Sequence, residues 1–145
     1  MKKYFLPLLF VSFLFIFSSC RNEKDEPYIR FRDKDGQEYN ERVMVPLNTD
    51  LKLFVYIGYE EKGENNLIHY ERSIDGSPFS DITFTGTLDI LSVGRFNNLL
   101  TEKASIDISF NEERVSEGSV VQIRVRDSGT LSKTITFEVL TETES

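Results

Sequence analysis

The sequence predicts an all-β protein, an antiparallel β-sandwich of about seven or eight short strands. Three observations support this prediction. Apolar and polar residues alternate with a period of two, turn residues interrupt the alternation about every ten residues, and helical periodicity is almost absent. A small β-barrel remains the alternative fold.

The first half of the chain predicts three strands. Residues 29–32 alternate apolar and basic side chains before a turn at residues 33–36. A short strand at residues 43–45 ends at Pro46, which cannot donate to a β-ladder and so favours the edge of a sheet. Residues 51–57 carry aliphatic side chains on one face and aromatic ones on the other, which indicates a strand that is central or partly covered on both sides.

The second half predicts strands of similar length. A strand at residues 68–72 leads into the turn dipeptide Asp75-Gly76, and two short apolar pieces follow at 82–85 and 88–90. Residues 92–103 contain Gly94, Asn97 and Asn98, and we expect an insertion or a mobile loop there. Three regular strands complete the domain, and a hairpin turn at residues 127–129 joins the last two: 106–110, 121–125 and 135–139.

The N-terminal segment has the pattern of an export signal. Lys2 and Lys3 precede residues 4–17, which are apolar apart from Ser12 and are shorter than the roughly 20 residues of a membrane-spanning helix. Phe17-Ser18-Ser19-Cys20 resembles the lipobox of bacterial lipoproteins. The resemblance implies cleavage after residue 19, covalent diacylglycerol and acyl lipid on Cys20, and an outer-membrane location.

The residues after Cys20 suggest which side of the membrane the protein occupies. Lys24-Asp25-Glu26 resembles the surface-export tag of outer-membrane lipoproteins in gut anaerobes, which implies a surface-facing domain. The periplasmic face is the alternative, in which residues 20–27 form only a polar, flexible tether. The remaining segment, residues 28–141, is long enough for one core and is predicted to be one domain.

Composition limits the partners of this domain. The chain has 17 Lys and Arg against 24 Asp and Glu, and a chain beginning at Cys20 loses only Lys2 and Lys3, so its net charge is −9. Such an acidic protein is not expected to bind nucleic acid or to bind anionic lipid by bulk charge. The membrane partner is therefore expected to be held through the lipid anchor.

The strand pattern also carries a resemblance to a known domain type. The segment from Val121 to Val139, with its Val125-Arg126-Asp127 run before a glycine turn, resembles the closing hairpin of immunoglobulin-like modules, and residues 68–79 resemble their strand-turn unit. The resemblance covers about the last two thirds of the chain and implies an immunoglobulin-like sandwich. The chain lacks paired cysteines and tryptophan, which disfavours a true antibody-type domain.

No pattern in the sequence predicts catalysis. His69 is the only histidine, and the glutamate pairs 60–61 and 112–113 are interpreted as solubilising loop charge. A calcium site formed by Asp33, Asp35 and Asp127 at one pole is a weaker alternative to turn capping, because the spacing around Gly36 does not fit an EF-hand loop. We therefore expect no catalytic residues and no cofactor apart from the covalent lipid.

A binding surface is the better functional hypothesis. Arg30 and Arg32 share one face of their strand, as do Arg124 and Arg126, so the four would form a basic stripe if both strands lay in one sheet. Arginine suits the oxyanions of carboxylated or sulfated glycans, whereas cross-strand pairing with glutamates is the alternative use of these side chains. Five aromatic residues are candidates for stacking on sugar rings: Tyr56, Tyr59, Tyr70, Phe79 and Phe96.

Together these observations predict a membrane-anchored, non-enzymatic surface lipoprotein. Its immunoglobulin-like domain would bind a ligand or a protein, with a glycan or an outer-membrane protein as the expected partner and an accessory role in glycan uptake. A structural or adhesive subunit of a cell-surface assembly is the alternative, because exposed strand edges support β-augmentation.

Overall fold

The structure, a computed structural model, describes residues 25–61, 66–82 and 86–141. These residues form nine β-strands, and none of them lies in a helix of the length and hydropathy needed to cross a membrane. The predicted signal peptide, Cys20 and Lys24 lie outside the described residues, whereas Asp25 and Glu26 lie within them. The all-β prediction is confirmed for this part of the chain.

Four strands form one antiparallel sheet, here called the four-stranded sheet. Its strands are β1 (Tyr28–Arg32), β3 (Thr49–Glu60), β6 (Leu88–Phe96) and β7 (Leu99–Phe110). Their spatial order is β1-β3-β7-β6. The long partners β3 and β7 pair along twelve residues each and form the centre of the sheet.

The other strands form a mixed five-stranded sheet: β2 (Arg42–Val45), β4 (His69–Ile74), β5 (Ser80–Asp81), β8 (Val120–Arg126) and β9 (Ser132–Val139). Their spatial order is β2-β9-β8-β4-β5. The edge strand β2 pairs in parallel with β9, and every other pair in this sheet is antiparallel. Pro46 directly follows β2, so the predicted edge position is confirmed.

One apolar core lies between the two sheets. Alternate residues of strands such as β3 and β8 point inward, so Val55 from the four-stranded sheet and Ile123 from the five-stranded sheet are fully buried. The Phe110 and Phe137 rings, one from each sheet, lie 5.5 Å apart. Burying a side chain of this size stabilises the fold by roughly 1.5–3 kcal/mol. This arrangement is consistent with a β-sandwich.

The segment predicted to be irregular is in fact a β-hairpin, and that prediction was wrong. Residues 92–96 continue β6, residues 99–103 begin β7, and the two-residue turn at Asn97 and Asn98 joins them. Asn97 adopts φ 52°, a left-handed conformation that asparagine tolerates better than most residues. Pairing of β7 with the neighbouring strand β3 outweighs the low strand propensity of these residues.

The turn at Asn97 and Asn98 defines one end of the molecule, here called the hairpin end. Strand β1 begins at this end, because Tyr28 pairs with Gly58 and Gly58 pairs with Thr101, close to that turn. The turn that follows Arg32 therefore lies at the opposite end. Strand β5 (Ser80–Asp81) ends just before the strand predicted at residues 82–85. Ile82 belongs to no strand, and residues 83–85 lie outside the described part.

Candidate functional site

The two predicted arginine pairs lie on different sheets. Arg30 and Arg32 are on β1 of the four-stranded sheet, whereas Arg124 and Arg126 are on β8 of the five-stranded sheet. Because the core separates the two sheets, the outer faces of these strands point away from each other. The four arginines therefore do not form a single basic stripe, because that required both strands to lie in one sheet.

Arg124 and Arg126 are engaged within the protein by one carboxylate. Glu71, opposite Arg124 on β4, accepts a hydrogen bond of 2.6 Å from Arg124 Nε and one of 2.9 Å from Arg126 Nε. The Arg124 guanidinium also stacks on the Phe79 ring at 4.0 Å. Burial of Glu71 opposes its charged form, but the hydrogen bonds from the two arginines outweigh it and lower the pKa of Glu71. This is the cross-strand glutamate pairing that the sequence left as the alternative.

The outer face of the four-stranded sheet combines aromatic and basic side chains. The β-ladder aligns Arg30, Tyr56 and Lys103 in one row across three strands, and it sets Arg32 beside Phe54 in the next row. Tyr28 precedes both rows at the hairpin end. We call this surface the aromatic–basic face, and its residues are Tyr28, Arg30, Arg32, Phe54, Tyr56 and Lys103.

Each cation of this face lies over a ring. The guanidinium carbon of Arg30 is 5.0 Å from the centroid of Tyr28, and that of Arg32 is 4.9 Å from the centroid of Tyr56. Lys103 Nζ lies 5.2 Å from Tyr56 and 5.6 Å from Phe54. Such contacts stabilise by about 0.5–1 kcal/mol at exposed sites.

The cations of this face have no carboxylate partner among the described residues. Ion pairs within 4.0 Å engage other exposed cations, such as Arg42 with Glu138 and Arg95 with Glu61, but none reaches Arg30, Arg32 or Lys103. The Nε atom of Arg32 is buried and has no hydrogen-bond acceptor. Among the described residues these three cations therefore have no carboxylate within 4.0 Å, although Asp25 and Glu26 line the same groove as Arg30.

A groove adjoins the aromatic–basic face at the hairpin end. It has a volume of about 630 Å³, Tyr28 and Phe96 line it, and Leu99 and Thr101 lie between them along the register. The Tyr28 ring lies directly over Gly58, where an added Cβ atom would come within 2.4 Å of Tyr28 Cε1. The absence of a side chain at Gly58 thus lets the ring lie flat along one wall.

The segment before β1 closes the groove. The Asp25 carboxylate accepts a hydrogen bond from Asn97 Nδ2, and the Asp25 carbonyl accepts one of 3.3 Å from Asn98 Nδ2. Asp25 and Glu26, two residues of the predicted export tag, line the groove together with Pro27. The chain that leads from Cys20 is thereby fastened to the hairpin end.

Comparison with protein-family models and with curated proteins finds no match for this chain. The chemistry of the site must therefore be read from its own groups. Guanidinium and ammonium donors bind oxyanions, and flat rings stack on the apolar faces of sugars. The aromatic–basic face provides both kinds of group, in an arrangement suited to binding an acidic ligand.

The three aspartates considered for calcium do not come together. Asp33 follows β1 at the opposite end. Asp127 lies at the hairpin end, because Asn66 Nδ2 donates both to Asp127 and to the carbonyl of Glu60, which pairs with Leu99. The described residues contain no group of three or more His, Cys, Asp or Glu that could hold a metal ion. Asp33 Oδ1 accepts hydrogen bonds from the amides of Asp35 and Gln37, both at 2.9 Å. Asp127 Oδ1 accepts from the amides of Gly129 and Leu131 at 2.8 and 3.0 Å. Both carboxylates cap their own turns.

The other chemically notable residues are dispersed. His69 is on β4 opposite Arg126, Glu61 forms an ion pair with Arg95, and Glu112 and Glu113 occupy an exposed turn after β7. Of the five aromatic candidates, two lie at the aromatic–basic face or its groove, namely Tyr56 and Phe96. Tyr70 is in the core, Phe79 supports Arg124, and Tyr59 is half-buried at the hairpin end.

Sequence reasoning missed three residues of the aromatic–basic face: Tyr28, Phe54 and Lys103. The aromatic side chains on the second face of β3 were a usable signal, because an aromatic outer face on a central strand indicates a covered or ligand-binding surface. Lys103 gave no such signal, since it lay in the segment predicted to be irregular.

Proposed function

We propose that this protein is a membrane-anchored, non-enzymatic surface lipoprotein whose immunoglobulin-like domain binds an acidic glycan on the aromatic–basic face. The observation that carries the proposal is the set of three cations, Arg30, Arg32 and Lys103, which stack on aromatic rings and have no carboxylate partner among the described residues. Apart from the buried Nε of Arg32, the donors of these cations would bind the oxyanions of a carboxylated or sulfated ligand.

The spacing of the cations favours a polymeric ligand. Arg30 and Arg32 lie two residues apart on one strand, a distance of roughly 7 Å, and Lys103 is two strands away from Arg30, at roughly 10 Å. A chain with acidic groups on successive sugars would meet several cations at once, while Tyr28 and Tyr56 offer ring faces for stacking. Each hydrogen bond to a charged group contributes about 1.5–3 kcal/mol.

The membrane anchor completes the proposal. Cys20 would carry the lipid, and Lys24, Asp25 and Glu26 would direct the domain to the outside of the outer membrane, where acidic glycans are accessible. The hairpin of β8 and β9, with Asp127 before its turn, favours an immunoglobulin-like assignment. A role beside a glycan-uptake system, with an outer-membrane protein as partner, is consistent with these features.

One observation favours a structural or adhesive subunit as a second candidate. Strand β6 is an edge of the four-stranded sheet, and its Leu91 and Val93 side chains are exposed. An exposed edge can accept an additional strand from another protein. A register irregularity between Ile90 and Ser92 distorts this edge, which makes such pairing less favourable.

A glycan array with matched variants tests the proposed ligand. The chain would carry Cys20→Ser to remain unlipidated, and it would be applied to acidic and neutral glycans at two salt concentrations. We expect binding of acidic glycans that weakens with salt, and a loss of at least about tenfold in affinity in the triple variant Arg30→Ala, Arg32→Ala, Lys103→Ala.

The matched control removes the same number and type of cations elsewhere. The triple variant Arg42→Ala, Lys52→Ala, Arg95→Ala changes the net charge equally but removes only exposed ion-paired side chains. Its affinity should stay within about threefold of that of the parent chain. Equal losses in both variants would indicate binding by bulk charge, and binding undiminished in the first variant would exclude this face.

The anchor is tested separately in cells. Cys20→Ser should leave an unlipidated precursor that no longer partitions into the detergent phase with lipoproteins. Replacement of Lys24, Asp25 and Glu26 by alanine should abolish surface labelling of a chain that is still lipidated. Unchanged partitioning or unchanged labelling would contradict the respective assignment.

A further inference from the structure

Strand β6 exposes an unusual number of apolar side chains at the hairpin end. Five large apolar residues are exposed among the described residues, and three of them lie on this strand. Leu91, Val93 and Phe96 are 44, 73 and 66% exposed, and every residue from Leu91 to Asn98 is exposed. Val93 and Phe96 are three positions apart and point to opposite faces of β6, so apolar side chains are exposed on both sides of the hairpin near its turn.

The chain enters the domain at the same place. Asp25 is hydrogen-bonded to Asn97 and Asn98, the turn residues between β6 and β7. Cys20 precedes Asp25 by five positions, and five extended residues span at most about 17 Å. A lipid attached to Cys20 would therefore hold the membrane surface within about 17 Å of Asp25, whatever the conformation of the intervening residues.

We propose that the turn end of the β6–β7 hairpin enters the bilayer interface, so that Val93 on one face of β6 and Phe96 on the other contact lipid. The inference rests on the lipid anchor of the proposed function and not on its ligand. The anchor confines the hairpin near the membrane, so apolar contacts too weak to bind a free protein become populated. Aromatic side chains such as Phe96 favour this interfacial region because it accepts both apolar and polar groups.

The charge of the protein indicates that this membrane contact is mainly apolar and not electrostatic. A chain that begins at Cys20 has a net charge of −9, so bulk attraction to anionic lipid does not contribute. Near the hairpin turn, Arg95 is paired with Glu61 at 2.6 Å, which leaves the apolar side chains of β6 as the main contribution there. Lys103, which has no such partner among the described residues, lies at the base of the hairpin opposite Ser92. The contact is therefore expected to depend little on salt.

Site-specific fluorescence quenching tests the proposal. Cys20 is the only cysteine and is consumed by lipidation, so Val93→Cys in the full-length chain provides one free thiol for an environment-sensitive fluorophore. The labelled, lipidated protein would be placed in vesicles of phosphatidylethanolamine and phosphatidylglycerol, with and without nitroxide-labelled headgroups. The control label is at Asp35→Cys, in the exposed turn after β1 at the opposite end.

We expect headgroup quenching of at least about twofold at position 93, and almost none at position 35. Phe96→Cys gives a second labelling position if Val93→Cys does not fold. Equal quenching at both ends, or none at either position of β6, would overturn the proposal while leaving the lipoprotein assignment intact. A label shielded from water but not quenched by lipid, together with cross-linked dimers, would overturn it in favour of pairing between copies of this chain.

Failure of the anchor gives a different result. A chain that does not float with the vesicles, and that shows no acyl mass at Cys20, would overturn the lipoprotein assignment and this inference with it. A chain that floats carries the anchor, so the quenching data then report on the hairpin alone.

Discussion

The hydroxyl of Tyr70 donates a hydrogen bond to the carboxylate of Glu102 across the interior of the domain. Tyr70 is on β4 of the five-stranded sheet and only 5% exposed, whereas Glu102 is on β7 of the four-stranded sheet. Burial and this hydrogen bond both raise the pKa of Tyr70 above its ordinary value of 10.0. The contact joins the two sheets near the hairpin end, where the core gives way to polar residues.

Tyr70→Phe should lower the free energy of unfolding by about 1–3 kcal/mol. The substitution keeps the ring in the core but removes the donor, so the partly buried carboxylate of Glu102 loses its partner. Urea denaturation of the parent chain and the variant measures the difference.

Tyr56→Phe is the matched control for this substitution. Tyr56 is on the outer face of β3, where its ring contacts cations and its hydroxyl has no hydrogen bond among the described residues. We expect a change within about 0.5 kcal/mol. A double-mutant cycle with Glu102→Gln isolates the coupling between Tyr70 and Glu102. Absence of coupling, or equal effects of the two Tyr→Phe substitutions, would contradict a stabilising role.

Alkaline pH should weaken the fold through the same tyrosine. A folded-state pKa raised above 10.0 means that ionisation is easier in the unfolded chain, so this contribution to stability is complete below pH 10 and is lost as the pH rises above it. Tyr70→Phe should reduce the slope of stability against pH between pH 10 and 11. Some slope should remain, because burial also raises the pKa values of Tyr39 and Tyr59. Identical slopes would exclude Tyr70 as a contributor.

Glu71 should govern stability at acid pH. Its folded-state pKa lies below the ordinary value of 4.5, so its contribution is present above that pH and is lost as the pH falls through the lowered pKa. Glu71→Gln should cost on the order of 2 kcal/mol at pH 7, because Arg124 and Arg126 lose a shared charged acceptor. The difference from the parent chain should shrink below pH 4.5 in urea denaturation.

Glu138→Gln is the control for this prediction. Glu138 pairs with Arg42 at 2.9 Å, but the arginine side chain is 67% exposed, and such surface pairs contribute about 0–1 kcal/mol. Comparing Glu71→Gln with Glu138→Gln therefore separates the effect of a buried carboxylate bound by two arginines from that of an exposed ion pair. A difference between Glu71→Gln and the parent chain that stays constant from pH 7 to pH 3 would argue against the lowered pKa.

The strands were largely predictable because their alternation reflects burial directly. The inward residues of β8, such as Val121 and Val125, are buried while their neighbours are half-buried, and the sequence shows the same alternation. The β6–β7 hairpin was not predictable in this way. Its β7 residues pair with β3, its β6 residues pair only with β7, and the β6 side chains from Leu91 onward are exposed. No apolar alternation therefore marks this hairpin, and only the pairing defines its strands.

The candidate site was predictable only in part, for a topological reason. Alternation showed that Arg30 and Arg32 share a face, but it could not show that β1 and β8 belong to different sheets. The paired state of Arg124 depends on Glu71, which is 53 positions away along the chain. Contacts at such separations follow from strand order, and strand order is not contained in the local pattern.

Gly58→Ala should disturb the aromatic–basic face by displacing the Tyr28 ring. An added Cβ atom at residue 58 would lie 2.4 Å from Tyr28 Cε1, so the ring must move, and we expect a loss of about 1–3 kcal/mol in the free energy of unfolding. In a Tyr28→Ala background the same change should be neutral or stabilising, because alanine suits a strand better than glycine. Gly94→Ala is the control, since its Cβ atom meets only Thr101 Oγ1 at 3.3 Å. Equal losses from Gly58→Ala with and without the Tyr28 ring would mean that the strain arises in the backbone and not against that ring.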